Sequence, residues 1–156
     1  MSTATIVGLL RSCSKPKKAY LEYAFAVVLA VVTLTIYIST IAPGLTWQNV
    51  GSDGGDLLTA AHTWGVAHPS GYPAYVVALR VFSFIVPIGD EAFRGNLFSA
   101  VLTATSTGFV FITSMRLSRL LPHTSKLPTW ILYASASITA IAVGFSRELW
   151  SQATIT

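Results

Sequence analysis

YLEYAFAVVLAVVTLTIYISTIA, residues 20–42, is nearly continuous in alanine, valine, leucine, isoleucine and aromatic side chains, and it stops at Pro43-Gly44. At about 1.5 Å per residue such a helix is long enough to cross a hydrocarbon core of roughly 30 Å. Arg11, Lys15, Lys17 and Lys18 precede it. A basic flank of this kind stays on the cytoplasmic side, which sends the helix outward toward Pro43. A cleaved signal peptide fits less well. The apolar run exceeds the roughly 7 to 15 residues of a signal core, and IAPGLTW offers a poor small-x-small cleavage site.

The rest of the composition agrees with a membrane chain. Only 10% of the 156 residues are charged against 53% hydrophobic, and the mean hydropathy is +0.62, well above a typical soluble domain. The net charge of +4 comes from basic residues at segment ends, not from a patch interleaved with aromatics, which argues against nucleic-acid binding. A lone cysteine, Cys13, excludes an internal disulfide and a multi-cysteine zinc site.

Two more apolar segments follow. Residues 94–115 carry threonine and serine hydroxyls that can bond back to their own helix, which makes them tolerable in lipid. Arg116, Arg119, His123 and Lys126 then form a second basic cluster, expected to be cytoplasmic. Residues 128–146 are the third span, with Trp130 and Tyr133 near one interface and Arg147, Glu148 and Trp150 at the other. Two cytoplasmic clusters flanking an outward first span allow one return span between them. The hydrophobic stretch 72–87 is therefore surplus; it is short, contains Pro73 and Pro87 and carries Arg80 mid-way. Arginine at a bilayer centre costs about 2.5–3.5 kcal/mol, so this stretch is expected to lie on the outer face as a juxtamembrane helix.

The outer loop, residues 43–93, holds GSDGGDLLTAAHTWGVAHPSGYPAY (51–75), the segment richest in chemistry. Leu57, Ala60, Ala61 and Trp64 follow i, i+3, i+4, i+7 spacing, which predicts a helix over about 54–66 with one face in the interface; Gly65 and then Pro69 end it. Asp53 and Asp56 stand at its start. Asp53 can cap the first turn, with Asp56 favoured by the helix dipole. Gly54-Gly55, poor helix formers, instead suit close approach of a ligand to the backbone. Residue chemistry alone leaves capping and catalysis both open. His62 and His68 lack the i, i+4 spacing of a helical zinc pair; His68-Pro69 suits a turn hydrogen bond or an anion contact, and His62 faces water. Tyr72 and Tyr75 read chiefly as interface aromatics, and Tyr72 also joins the candidate substrate contacts. Arg80 on an apolar helix must snorkel or pair with an anion such as lipid phosphate.

Asp53-Gly54-Gly55-Asp56, Trp64-Gly65-Val66 and His68-Pro69-Ser70-Gly71-Tyr72-Pro73 resemble a family once filed as of unknown function and now grouped with protein O-mannosyltransferase-like enzymes of the glycosyltransferase C superfamily. That family typically reads Asp-Ser-Gly-Glu, Leu-Gly-Val and His-Pro-Pro-Gly-Tyr-Pro. Gly54, Asp56 and Ser70 are the departures; the acid-turn-acid layout survives. The likeness runs in one register over roughly residues 40–115.

The resemblance implies an all-α membrane protein, a glycosyltransferase C-like N-terminal module of three transmembrane helices with two juxtamembrane helices (about 54–66 and 72–87) in its first outer loop. Residues 1–19 would be the cytoplasmic N-terminus, 116–127 a cytoplasmic loop and 147–156 the start of a second outer loop. It further implies transfer of a sugar, with inversion, from a polyprenyl-phosphate carrier to a protein or glycan hydroxyl on the non-cytoplasmic face. Asp53 becomes the candidate general base and Asp56 a supporting acid. His68, Tyr72, Arg80 and Arg147 are the candidate substrate and phosphate contacts, with Asp53 and Asp56 the ligands if a divalent metal takes part. Because members of the superfamily have many more spans, the chain reads as the N-terminal portion of such an enzyme, with little activity alone. The rival expectation is a non-catalytic membrane scaffold or lipid-binding module in which Asp53 serves only as a cap; a transporter fragment fits less well, since the acids lie outside the spans.

Overall fold

A computed structural model describes residues 16–46, 53–122, 124 and 127–154, with side chains from Ala19 onward. Most of the expected N-terminal tail (including Arg11 and Lys15), part of the outer loop, and His123 and Lys126 of the second basic cluster lie outside the described residues. Six helices follow in order: α1 (Pro16–Thr40), α2 (Gly54–Thr63), α3 (Pro73–Ile85), α4 (Glu91–Leu120), α5 (Thr129–Gly144) and α6 (Arg147–Thr154), with no strand among the described residues. The all-helical expectation holds. Two helices, Ala19–Thr40 and Glu91–Leu120, are long and apolar enough to cross a bilayer, and α5 with α6 makes a third if the pair, bent by 58°, counts as one broken span.

α1 packs antiparallel along α4, and α5 packs against α4 and also touches α1. Close approach comes from small residues, the usual device where lipid offers no hydrophobic drive for helix pairing. At Gly108 of α4 an added Cβ would sit 3.0 Å from the Ala26 carbonyl oxygen of α1, and at Gly144 of α5 it would meet Thr107 Oγ1 at 2.6 Å. Phe111 and Met115 fill the seam with Ala26, Leu132, Ala136 and Ala140, while Phe25, Phe111 and Tyr133 meet ring to ring. The hydroxyls of Thr105 and Ser106 bond back to Val101 and Leu102 carbonyls at 2.7 and 3.0 Å, satisfying themselves inside their own helix.

α4 is longer than the apolar pattern predicts at both ends. Its start is set by Asp90, whose side chain accepts from the Phe93 N–H at 2.8 Å as an N-cap. At the far end Arg116 and Arg119 belong to the helix and not to the expected loop 116–127. The reason is Glu22 of α1, 1% exposed, whose carboxylate accepts from both terminal guanidinium nitrogens of Arg119 and lies 3.6 Å from Arg116. With a carboxylate waiting for them, the arginines can stay helical against the bundle.

At the opposite end, α2 and α3 pack on each other and on the first turns of α4. Leu58, Ala60, Ala61, Ala67, Val76, Leu79 and Phe98 make this second core, and Gly95 gives Leu58 its place, since a Cβ there would stand 2.6 Å from Leu58 Cδ2. The apolar face of α2 is thus turned into protein, not laid wholly in an interface as the spacing suggested. α2 also stops at Thr63, earlier than expected: Trp64, not Gly65, takes the left-handed turn (φ 56°) and the Gly65 N–H closes on Ala60 O at 2.9 Å. Tyr75 likewise faces inward, its ring against Phe98 and its hydroxyl 3.1 Å from Ser99 Oγ, with burial pushing its phenol pKa up.

The segment read as the start of an outer loop forms α6, which packs against α4 and α1. Tyr37, Ala100, Ala104 and Ala153 are buried together with Phe145 and Trp150 around them, the Tyr37 hydroxyl donates to the Gly144 carbonyl, and the Ala42 N–H bonds Thr154 O at 2.9 Å. Asn96, fully buried, donates to Ala42 O at 2.9 Å and Gly44 O at 3.4 Å. The end of α1, the α2–α3 pair, the start of α4 and α6 therefore share one end of the bundle.

Candidate active site

Asp53 occupies the N-cap position of α2, yet its side chain makes no capping hydrogen bond. Asp56, in the first turn, does not close a capping box either. Both carboxylates are directed at His68 in the α2–α3 connection. Asp56 Oδ2 accepts the His68 backbone N–H at 2.8 Å and meets the ring Nδ1 at 2.8 Å; Asp53 Oδ2 lies 3.5 Å from Nε2.

A carboxylate only accepts, so Nδ1 carries the proton toward Asp56. That leaves Nε2 facing Asp53. In a neutral ring the Nε2 lone pair would point at a carboxylate, whereas in the imidazolium it is an N–H. The hydrogen bond to Asp56 is the main cause that raises the His68 pKa above its ordinary value; desolvation opposes it, and the negative charges of Asp53 and then Asp56 add to the rise. The same contacts, chiefly the His68 backbone N–H and then the ring, lower that of Asp56. The cluster is open to solvent: the side chains of His68 and Asp53 are 37% and 64% exposed.

The connection that presents His68 is bracketed by two left-handed residues, Trp64 (φ 56°) and Tyr72 (φ 43°). For bulky side chains this conformation costs on the order of 1–3 kcal/mol each, and such costs tend to gather at functional sites. Gly71 (φ 80°) makes the turn just before Tyr72, and the Gly71 N–H bonds His68 O at 2.6 Å. The turn brings the Tyr72 ring to 5.4 Å from the His68 ring. The structure therefore assembles Asp53, Asp56, His68 and Tyr72. Among the described residues no hydrogen bond, ion pair or ring contact joins Arg80 or Arg147 to them. Arg80 lies 5.9 Å over the ring of Trp64, itself 66% exposed. Arg147 opens α6 and borders a cavity of about 400 Å³ lined also by Thr40, Phe145, Trp150, Ser151 and Thr154. His62 is not merely solvated: its Nδ1 stands 3.6 Å from the Glu91 carboxylate.

Among the described residues no group of three or more His, Cys, Asp or Glu is arranged to hold a metal ion; Asp53, Asp56 and His68 meet through His68, with Asp56 Oδ2 used by two of its N–H groups.

Residues 53–156, beginning at the first aspartate of this cluster, match the family described as "Protein O-mannosyl-transferase TMEM260 N-terminal domain". The chain belongs to this family. The TMEM260 relatives are longer proteins. The mouse (Mus musculus) protein O-mannosyl-transferase TMEM260 is 39% identical over 126 residues, which cover 81% of this chain and 15% of the mouse protein. The Dictyostelium discoideum protein O-mannosyl-transferase tmem260 is 32% identical over 92 residues, 58% of this chain and 11% of that protein. No solved structure matches the chain.

Sequence reasoning missed Glu22 and Asn96. One carboxylate in a long apolar run is a readable signal for a buried ion pair; Asn96, within a small-residue helix, carried none.

Proposed function

We propose that this chain is the base-bearing part of a membrane glycosyltransferase that moves mannose from a polyprenyl-phosphate carrier to a protein hydroxyl, with inversion at the sugar carbon, on the non-cytoplasmic face. The observation that carries this reading is Asp53. It stands where a cap belongs, forgoes capping, and turns an exposed carboxylate toward a histidine. The names of the relatives supply the sugar and the protein acceptor; the basic flank before α1 supports a cytoplasmic N-terminus and an outward site, with α1, α4 and α5 crossing the bilayer.

In the reaction Asp53 accepts the acceptor O–H proton while that oxygen bonds to C1 of the sugar. The bond from C1 to the carrier's phosphate oxygen breaks, and its electron pair leaves with the phosphate. A hydroxyl is a weak nucleophile, so a positioned carboxylate contributes on the order of 10²- to 10⁴-fold. Arg80 and Arg147, which have no carboxylate partner among the described residues, are the cations assigned to the leaving phosphate, and the exposed Tyr72 ring is the surface assigned to the sugar.

The test is Asp53→Asn in a chimera that carries this chain in place of the matching N-terminal region of the mouse relative. Membrane extraction and thermal unfolding should stay as they are, while mannosyl transfer should fall by about 10²-fold or more. Undiminished transfer, with a destabilised protein, returns Asp53 to a structural role and sinks the reading.

A further inference from the structure

Asp53 and Asp56 are alike in chemistry, two aspartates at the start of one helix. Their surroundings are not interchangeable. Asp56 is held at two points by a single residue, the backbone N–H and the ring Nδ1 of His68, both at 2.8 Å on the same oxygen. A side chain that holds both the main chain and the ring of its partner fixes the position of the partner and restricts the rotation of the ring. Nε2 is thereby aimed, and what it faces is Asp53 Oδ2 at 3.5 Å.

We infer that Asp56 is a positioning residue that acts through His68 on Asp53, and is not a second acid of the reaction; this rests on the reading of Asp53 as the base. Asp56 is the poorer base of the two because two N–H donors on Oδ2 stabilise its charged form and tie the carboxylate to His68. Asp53, with a single longer contact and the larger exposure, keeps an oxygen for the acceptor hydroxyl. His68 orients that carboxylate through Nε2 and keeps its own proton throughout; the acceptor proton ends on Asp53. Tyr72, 5.4 Å from the imidazole between ring centres, borders the ring on a third side. His68 is accordingly assigned to Asp53 and not to the carrier phosphate, which is left to Arg80 and Arg147.

Two amide substitutions at one position separate this from loop anchoring. In the chimera, His68→Asn keeps an amide near the place of Nδ1 and so retains the tie to Asp56 but loses Asp53; His68→Gln reaches the place of Nε2 and retains a donor to Asp53. Steady-state transfer should show His68→Gln with a kcat about tenfold or more above that of His68→Asn, the size expected when a catalytic group is misplaced by a fraction of an ångström to an ångström. KM for the carrier-linked donor should stay within about twofold in both, as expected when positioning and not ground-state binding is lost. Asp56→Ala, which removes the acceptor of both His68 N–H groups, should lower kcat in the parent and cause less further loss in His68→Gln, which has already lost the ring contact. Equal kcat values, or His68→Asn the more active, would overturn the inference in favour of a structural tether. A raised donor KM with unchanged kcat would also overturn it, by placing His68 on the phosphate. Asp53→Asn run alongside keeps the two claims apart. If it is inactive while the His68 order is reversed, only this inference fails; if it is fully active, the proposed function fails first.

Discussion

Glu22→Ala should loosen the bundle far from the candidate site. Glu22 is 1% exposed and bonds Arg119 through both carboxylate oxygens, with Arg116 Nη2 3.6 Å from one of them. Removing one partner of a fully buried ion pair costs about 3–5 kcal/mol because a charge is stranded. Here the stranded charges are not fully buried: Arg119 and Arg116 are 30% and 36% exposed and can turn toward water or headgroups. The expected loss is therefore lower, about 2–3 kcal/mol. Glu22→Gln preserves the shape and one acceptor and should lose about half of that. The assay is reversible unfolding in mixed micelles, followed by the tryptophan fluorescence of the parent, Glu22→Ala, Arg119→Ala and the double variant. The coupling between the two positions should be about 1.5–2.5 kcal/mol. A coupling under about 0.5 kcal/mol is what exposed pairs give, and it would refute the claim that this contact sets the length of α4.

Gly108→Val puts a branched side chain 3.0 Å from the Ala26 carbonyl, where backbone must give way, and should cost about 1–3 kcal/mol in the same unfolding assay; an unchanged protein would mean that α1 and α4 are not in this contact. The tether between α2 and His68 should be strongest at mildly acidic pH. Asp56 has its pKa lowered from 3.8, so its contribution is present above that value and is lost as pH falls through the lowered one. His68 has its pKa raised from 6.5, so its contribution is full below that value and is lost as pH rises through the raised one. Hydrogen exchange of the His68 amide, corrected for intrinsic rate, should be most protected between about pH 4 and 6.5, and protection that is flat across the range would contradict the tether. With Cys13→Ser as background, Ser70→Cys should react with an impermeant thiol reagent from the outer side and Leu121→Cys should not; the opposite pattern would invert the proposed orientation.

What was legible in the sequence is what depends on local composition. The apolar run from Tyr20 to Ala42 and the Asp-Gly-Gly-Asp turn each announce themselves within a window of a few turns, because hydrophobic length and turn chemistry are local properties. What was not legible depends on partners distant in the chain. Local spacing points to Leu57 and Trp64 for the apolar face of α2, yet Gly95 gives the buried place to Leu58 and Trp64 stays exposed. Arg116 and Arg119 look like a helix stop until Glu22, 97 residues away from Arg119, supplies their counter-charge. At the candidate site the histidine was noticed but its direction was not, since the choice between capping and catalysis for Asp53 turns on where the α2–α3 connection brings His68. Trp64 shows the same limit: local preference favours Gly65 for a left-handed turn, but the adjacent indole is the surface over which Arg80 lies.

The position of the site follows from how α1 and α4 are held in register. Glu22 with Arg119 fastens one end, Gly108 against Ala26 brings the backbones together midway, and Asn96 fastens the other end by holding Ala42 and Gly44. A one-turn slip of α4 along α1, about 5.4 Å, would break all three at once, and the contacts are different in kind, so no single compensating change restores them. Because α2 is seated on α4 through Leu58 and Gly95, that register also fixes where α2 begins, and with it Asp53. α6 is joined to the same end through Ala42 and Thr154. The acid and the cation assigned to the phosphate, Asp53 and Arg147, therefore reach one end of the bundle through separate elements that share α4 as their common support.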